Sequence, residues 1–412
     1  MSFINNPAFE TLMQQANLPQ HPTLVVGVSG GADSLYLTLI LNDWVQRQNG
    51  TLIAVTVDHA LRPESSAEAK MVHQFLEQKN IPHDILTWTG DKPKTSIEEK
   101  AREKRYQLLC TYCQKIHAHA LCLAHHQEDQ CETFFLRLTK SSGLRGLSAM
   151  HFSTVQRNTI ILRPLLTTSK QHILQTLTQK HITWIEDRMN YDPMYERVRW
   201  RLFQPELSKM GLTPSVLSQS IQRLCRADDA LEFFVNQFIQ HNIIPEPEGY
   251  IRFSQKLFVQ CPTEIRIRII NKLLSSISLN NKNISMKSIE KIAIDLPKHS
   301  TLNGCQWVIC KDNIFIAKEL KHLPRPISIS KQKWTQWGNY LVYSMQDCTL
   351  SCAAPSPRKT NIPYLIQRTF PCVEPKLTLN FINSKEKTQK ELEKSFIIDY
   401  KNHKKNVYII YE

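Results

Sequence analysis

The run Val25-Val26-Gly27-Val28-Ser29-Gly30-Gly31-Ala32-Asp33-Ser34 constrains this 412-residue chain more than any other stretch. It begins as an apolar strand, stops at a Ser-Gly-Gly turn and restarts as a helical pattern through Leu35, Leu37, Leu39, Ile40, Trp44 and Val45. A helix that starts directly on glycines leaves its first N–H groups unpaired at the positive end of its dipole, which makes an anion site. Gly30 and Gly31 permit a tight turn and a close backbone approach to a phosphate. Ser29 and Ser34 add hydroxyl donors. Asp33 is the odd member: a carboxylate beside a phosphate repels it unless a cation lies between, so bound Mg²⁺ is expected there. No Gly-Lys-Ser/Thr follows at Walker A spacing, and the turn is not the dinucleotide Gly-x-Gly-x-x-Gly.

The first 190 or so residues alternate between strand and helix patterns. Strands are expected at Leu24–Val28, Leu52–Val57, His83–Trp88, Ala120–Ala124 and Thr159–Leu162, and helices at Asp33–Gln46, Ser65–Lys79, Ser96–His117, Glu128–Leu138 and Ser169–Lys180. Such alternation predicts an α/β fold with a doubly wound parallel sheet, whose ligands bind at the carboxyl ends of the strands. The glycine turn, Asp58-His59 and His125-His126 each follow a predicted strand and so converge on one edge. From Thr213 apolar residues recur at helical spacing through Phe238, with further helices at Glu264–Ser275 and Ser288–Asp295, so a small, mostly helical segment is expected. Leu323-Pro-Arg-Pro326 reads as a linker to a β-rich or α+β third segment. The expected domains are 1–212, 213–320 and 327–412.

Charge is uneven along the chain. Of the net +14, residues 1–200 carry +2 and residues 201–412 carry +12. A basic surplus away from the phosphate loop points to a polyanion partner, most simply RNA. No apolar run is long enough to span a bilayer and the first twenty residues lack a signal-peptide pattern, so no membrane association is expected. Eleven scattered cysteines fit a reduced, cytoplasmic protein. Cys110 and Cys113 have redox or metal spacing but lie within a helical pattern, which favours packing.

The segment His125-His126-Gln127-Glu128-Asp129-Gln130-Cys131-Glu132-Thr133 follows the fourth strand, on the same edge as Asp33. Acids in a first helical turn are favoured by the dipole alone. Two carboxylates from separate segments beside a phosphate chain are also what Mg²⁺ requires. Ser-Gly-Gly-x-Asp-Ser resembles the pyrophosphate (PP) loop of the ATP pyrophosphatase superfamily, with its adenine nucleotide α-hydrolase-like fold. Seven segments in order resemble the tRNA(Ile)-lysidine synthase family: Ser29–Ser34, Val57–Arg62, Ala101–Tyr106, Ala124–Thr133, Ser142–Leu147, Arg163–Leu166, and Glu186–Asn190 with Tyr195–Arg201.

That resemblance implies an enzyme using ATP and Mg²⁺ to join free L-lysine to C2 of the first anticodon cytidine of a tRNA(Ile) with a CAU anticodon, through an adenylated intermediate, without a stable protein partner. It implies that Ser29, Gly30, Gly31, Ala32, Asp33 and Ser34 cradle the phosphates and that Asp33 and Asp129 hold the metal, Asp129 also serving as a proton acceptor. Arg102 and Arg105 neutralise phosphate charge. Val57, Asp58 and His59 border the adenosine, and His125 or His126 donates to the leaving pyrophosphate. Asn190, Arg197 and Arg201 hold the base or lysine. The chain departs from the family pattern at Glu128, at Lys140-Ser141, at Arg188-Met189 and at Val198, where an asparagine is usual, and it lacks a Trp-x-Arg ending.

Two rivals remain at this level: a tRNA cytidine thiolase of the same superfamily, which needs sulfur-carrying cysteines, and a non-catalytic tRNA-binding protein with a relict nucleotide fold. RNA affinity is expected to fall steeply with salt, because each phosphate contact releases counterions. Binding titrations at several salt concentrations check this, and a salt-insensitive complex would point to a non-nucleic-acid partner.

Overall fold

A computed structural model describes residues 6–60, 64–90, 92, 95–186, 194, 196–246, 250–277, 285–319, 326–330, 334–337, 340–344, 348–352, 362–363, 366, 371–374, 378–383 and 406–411. The chain divides into two compact units, Met1–Asp229 and Ala230–Glu412.

The first unit runs α1 (Pro7–Gln14), β1 (Thr23–Gly27), α2 (Ala32–Arg47), β2 (Thr51–Asp58), α3 (Ser65–Gln78), β3 (His83–Thr87), α4 (Ile97–Lys115), β4 (Ala120–Cys122), α5 (Gln127–Leu138), α6 (Leu144–Leu147), β5 (Ser153–Gln156), β6 (Thr159–Leu162), α7 (Lys170–Gln179), α8 (Glu196–Lys209) and the start of α9 (Pro214–Asn242). Its sheet has the order β3-β2-β1-β4-β6-β5, parallel except for the edge pair β5·β6. β1 is central, and a central parallel strand is covered on both faces, which is why it is apolar at successive positions. Leu24 and Val26 enter the core shared with α1, α2 and α7, built around Phe9, Tyr36, Leu37, Ile40 and Ile173. Val25 enters the opposite core with Tyr106, Leu109, Cys110 and Cys113 of α4. β4 splits likewise, with Ala120 and Cys122 on one side and Leu121 and Leu123 on the other.

This order positions the site. The chain steps outward from β1 to β3, then crosses back to β4 on the other side of β1. The strand order reverses between β1 and β4, and ligands of open α/β sheets bind in the crevice beyond that point. The glycine turn leaves β1 there, and His125-His126 leaves β4 there.

The five expected strands and five expected helices of this unit are all present, within a few residues at their ends. Periodicity did not reveal α1, β5, α6 or α8. β5 is short, largely exposed and polar, so it has no apolar signature, and it runs antiparallel to β6. α1 is only eight residues, begun by Asn6, whose side chain accepts from Phe9 N at 3.1 Å.

α9 crosses the division between the units, which falls later than the composition change at Thr213. Beyond it lie β7 (Ile244–Glu246), β8 (Tyr250–Ser254), α10 (Gln255–Gln260), α11 (Thr263–Ile277), α12 (Met286–Asp295), β9 (His299–Leu302), β10 (Cys305–Cys310) and β11 (Asn313–Lys318). The helices stand where periodicity put them. The expectation of a mostly helical segment omitted an antiparallel sheet, β7-β8-β11-β10-β9. Its central strands are apolar on both faces and read ambiguously in sequence. Phe253, Phe258, Ile269, Ile270, Trp307 and Ile316 form the core between sheet and helices. The third segment contributes β12 (Ile327–Ile329), β13 (Trp334–Trp337), β14 (Tyr340–Ser344), β15 (Cys348–Cys352), β16 (Pro371–Glu374), β17 (Thr378–Asn383) and β18 (Asn406–Tyr411), in sheets β12-β15-β16 and β13-β14-β18-β17. Among the described residues, no helix is long and apolar enough to cross a membrane.

Gly30 ties the turn to the fold. Its φ is +83°, and an added Cβ would lie 2.8 Å from both Ile185 Cδ1 and Val72 Cγ2. Its carbonyl accepts from Ile185 N at 3.0 Å. Gly30→Ala is expected to cost about 1–3 kcal/mol of stability and to distort the turn. Thermal unfolding checks the first effect. The second is checked by the rise in melting temperature on adding nucleotide, which should shrink in the variant; an equal rise would refute the role of the turn.

Candidate active site

The turn 28–31 is held from within. Ser34 Oγ donates to Gly31 O at 2.9 Å and accepts from Ser29 N at 3.1 Å, with Ser29 Oγ 3.2 Å away. Gly31 N-caps α2 with no side-chain bond to the helix N–H groups, so these are left to a ligand. Asp33, in the first turn, has two cationic neighbours. Lys170 Nζ donates to its Oδ1 at 2.6 Å, and His126 Nε2 lies 3.7 Å from its Oδ2.

His126 is the hub of this cluster. It is the N-cap of α5, where Asp129 Oδ2 accepts from the His126 backbone N at 3.0 Å. The His126 ring also reaches Glu128 Oε2 at 3.0 Å through Nδ1, and Asp129 Oδ2 at 3.5 Å through Nε2. Burial opposes a charge on the imidazole, but Asp129, Glu128 and Asp33 hold it protonated, pushing its pKa up to about 9. Burial likewise opposes ionisation of Asp129, yet the His126 cation and the bond from the His126 backbone N keep its carboxyl below the ordinary range. Glu128 also accepts from Lys170 N at 2.9 Å, so it joins α5 to the start of α7. Two carboxylates from distant segments therefore face one cationic nitrogen.

A wall of arginines lies alongside. Arg102 stacks on Tyr106 (5.3 Å to the ring centroid), and Arg105 approaches the same ring at 6.0 Å. Arg163, buried, donates to His151 O and Thr154 Oγ1, both at 3.0 Å. Burial, reinforced by Arg163, Arg102 and Arg105, pushes His125 down to about 3 against the pull of Asp129. The two adjacent histidines thus differ in charge, one neutral and one cationic, and the buried His125 Nδ1 has no partner among the described residues. His59 is also held neutral, by burial and then by Arg105 and Lys92. Its ring sits edge-on to Trp88 at 5.9 Å, with Nδ1 buried and without a partner among the described residues. Asp58 has a different task. Its carboxylate accepts from Ala60 N, Ser65 Oγ and Ser66 Oγ at 2.8, 2.7 and 2.6 Å, which anchors the start of α3. Val57, on β2, packs against the α4 side of the sheet.

On α8, Arg201 Nε donates to Glu132 Oε1 at 2.7 Å, and the Arg197 charge acts on Asp129, Glu132 and Arg105. Glu132 is only 4% exposed, its Oε2 is buried without a partner among the described residues, and burial raises its pKa despite Arg201. Val198 is buried in the protein interior. Asn190 lies outside the described residues. The fold thus gathers the phosphate loop, both histidines, Asp129, the arginine pair, Arg197 and Arg201 into one connected set.

Lys170, Glu132 and Arg163 received no role from sequence. Lys170 carried a usable signal: a lysine directly after the N-cap Ser169 opposes the helix dipole, so it needs an acidic partner. Glu132 had none, since only burial distinguishes it from a solvated helix face. Among the described residues, no group of three or more His, Cys, Asp or Glu side chains is arranged to hold a metal by itself. Cys110 and Cys113 are buried in the α4 core as free thiols, and burial raises the pKa of both.

The PP-loop domain family matches residues 5–206. The tRNA(Ile)-lysidine synthase of Wolbachia pipientis wMel is 30% identical over 364 residues, spanning 85% of this chain and 84% of that protein. The enzyme of the same name from Rhodopseudomonas palustris is 36% identical over 260 residues, 62% of this chain and 74% of that protein. The solved structure of the U34-tRNA thiolase NcsA from Methanococcus maripaludis, with its [4Fe-4S] cluster, is 15% identical. It overlays with a TM-score of 0.46 on 53% of this chain and 77% of its own.

The His126 cation has a pH signature. Its native pKa of about 9 lies above the usual histidine value, so its stabilisation is complete below about pH 6.5 and is lost as pH rises through 9. Relative to His126→Gln, the wild type is expected to lose melting temperature progressively from neutral to alkaline pH. Parallel melting curves for the two proteins would remove the cationic assignment.

Proposed function

The chain belongs to the tRNA(Ile)-lysidine synthase family, and from that premise we propose that it uses ATP to activate C2 of the cytidine at the first anticodon position of tRNA(Ile) CAU and then joins free L-lysine to that carbon. The observation that carries this reading is the meeting of Asp33 and Asp129 around His126 at the mouth of the glycine turn.

The chemistry follows in two steps. The C2 oxygen attacks the α-phosphate and pyrophosphate leaves; then the lysine ε-amine attacks C2 and AMP leaves with the oxygen. A carbonyl oxygen is a poor leaving group, and adenylation makes it a good one. The free N–H groups of α2 and the Ser29 and Ser34 hydroxyls hold the phosphates. Lys170 and the protonated His126 supply positive charge at the pyrophosphate end, while Arg102 and Arg105 offset charge at the transferring phosphate. His59 and Val57 border the adenosine. Asp58 keeps that loop in place through its serines.

Asp33 and Asp129 fit a magnesium ion, because the Oδ2 atoms of both already converge on one cationic nitrogen, at 3.7 and 3.5 Å. They would hold Mg²⁺, which would supply charge stabilisation for the pyrophosphate leaving group.

An ammonium titrating near ~10.4 must lose its proton before it attacks. Asp129, held ionised well below neutral pH, is a weak base and serves better to hold the incoming cation. Glu132 is the stronger acceptor, having a raised pKa and a buried oxygen without a partner among the described residues. Arg197 and Arg201 keep both acids oriented. The +12 surplus of residues 201–412 supports tRNA contacts from segments 213–320 and 327–412. The free thiols from Cys110 to Cys310 support a cytoplasmic setting. The thiolase reading is disfavoured by Cys110 and Cys113, which face the core on α4 rather than the crevice.

The test is transfer of labelled lysine to tRNA(Ile) CAU, with the methionine CAU tRNA as the competing substrate. Label in the first and not the second is expected; sulfur incorporation instead would favour the thiolase. Asp33→Asn and Asp129→Asn are expected to lower AMP formation by on the order of 100-fold or more with tRNA binding intact. Unchanged turnover in either would refute its role.

A further inference from the structure

Beyond the acid cluster, α5 and α8 share a surface that the reaction as described does not use. Phe135 of α5 stacks on Trp200 of α8, with centroids 4.6 Å apart and planes at 11°. Trp200 meets Phe203 edge-on at 6.3 Å, and Phe134 meets Phe135 at 5.5 Å. The ladder runs outward into solvent: Phe203 is 50% exposed and Leu202 65%, with Leu138 exposed at the end of α5. A chain that only needed to fasten α5 to α8 would bury these groups. Exposed aromatics at the end of an ordered stack mark a binding surface.

Three features identify the occupant. Arg199 places positive charge on the helix that carries Trp200 and Phe203, while Arg197 and Arg201 serve the acid cluster. Arg199 is exposed and lies one helical turn from Phe203. Glu132, at the acid cluster, precedes Phe135 by three residues on α5, about 4.5 Å along the axis. The surface is therefore continuous with the place where a cytidine must be presented. Open aromatic faces beside an exposed arginine suit unpaired bases, which have free π-faces and an adjacent phosphate; paired bases have no face to offer.

The geometry points to the Phe135–Trp200–Phe203 ladder as a stacking platform for an unpaired base of the anticodon loop, adjoining the target cytidine. This rests on the reading of the crevice as an RNA-modifying site. Arg199 contacts the neighbouring phosphate, so base stacking and charge are separable contributions to affinity.

The test uses the full chain, a fluorescent anticodon stem-loop RNA, and titrations at several salt concentrations. Phe203→Ala is expected to bind on the order of 10-fold more weakly with the salt dependence of the wild type, because no phosphate contact is lost. Arg199→Ala is expected to bind more weakly with a shallower salt slope. Phe203→Trp should restore affinity. Nucleotide binding and melting temperature should stay at wild-type values in the Phe203 variants, which keeps the result separate from misfolding; Trp200→Ala serves as a second probe.

Wild-type RNA affinity in Phe203→Ala would overturn the platform while leaving the proposed reaction standing. Self-association of the wild type that Phe203→Ala abolishes, with RNA affinity unchanged, would reassign the patch to a protein contact and also overturn it. Failure of the wild type to bind the stem-loop would overturn both the platform and the reading beneath it.

Discussion

Asp33 and Asp129 arrive from segments nearly a hundred residues apart and face the same imidazolium. Like charges held close in a partly buried crevice cannot both stay ionised without compensation. Here it is supplied by His126, raised to about 9 by the acids around it, and by the ammonium of Lys170. The cluster is mutually dependent: the acids make the histidine a cation, and the cation keeps Glu128 and Asp129 ionised. A site that must receive a highly negative triphosphate is thus preorganised with balanced charge, ready to exchange protein cations for ligand ones.

The sheet order makes that meeting happen. Because β4 returns to the opposite side of β1, the segments leaving these two strands flank one crevice, with the N-termini of α2 and α5 opening onto it. Both helix dipoles favour anions there. The same topology explains why the adjacent histidines diverge. His126 turns toward the carboxylates, while His125 is kept neutral by burial, reinforced by the charges of Arg163, Arg102 and Arg105. One dipeptide at a strand end thereby serves an acidic side and a basic side.

α5 and α8 link chemistry to recognition. Glu132 and Arg201 pair across them, and within a turn on the same helices the side chains become aromatic and exposed. Charge chemistry and base recognition can share one pair of helices because their residues lie at successive turns. Neither helix face is uniform, which is also why periodicity alone did not register α8, whose interior includes Pro205.

The phosphate loop, the strand–helix alternation and the acid cluster after β4 were legible in the amino-acid order, because each depends on neighbours within a few residues. A glycine turn between an apolar strand and a helix leaves the first helix N–H groups open to an anion, and the parallel sheet follows from the alternation. The sheet of residues 244–318, the antiparallel edge strand β5 and the aromatic ladder were not legible, since they depend on pairings between distant segments. Tertiary structure alone decided the roles within the site. It buried Glu132 and so raised its pKa, brought Lys170 onto Asp33, and spent the carboxylate of Asp58 on a loop. Residue type gives a group its chemistry, but desolvation and the charges folded against it decide which form of that chemistry it keeps.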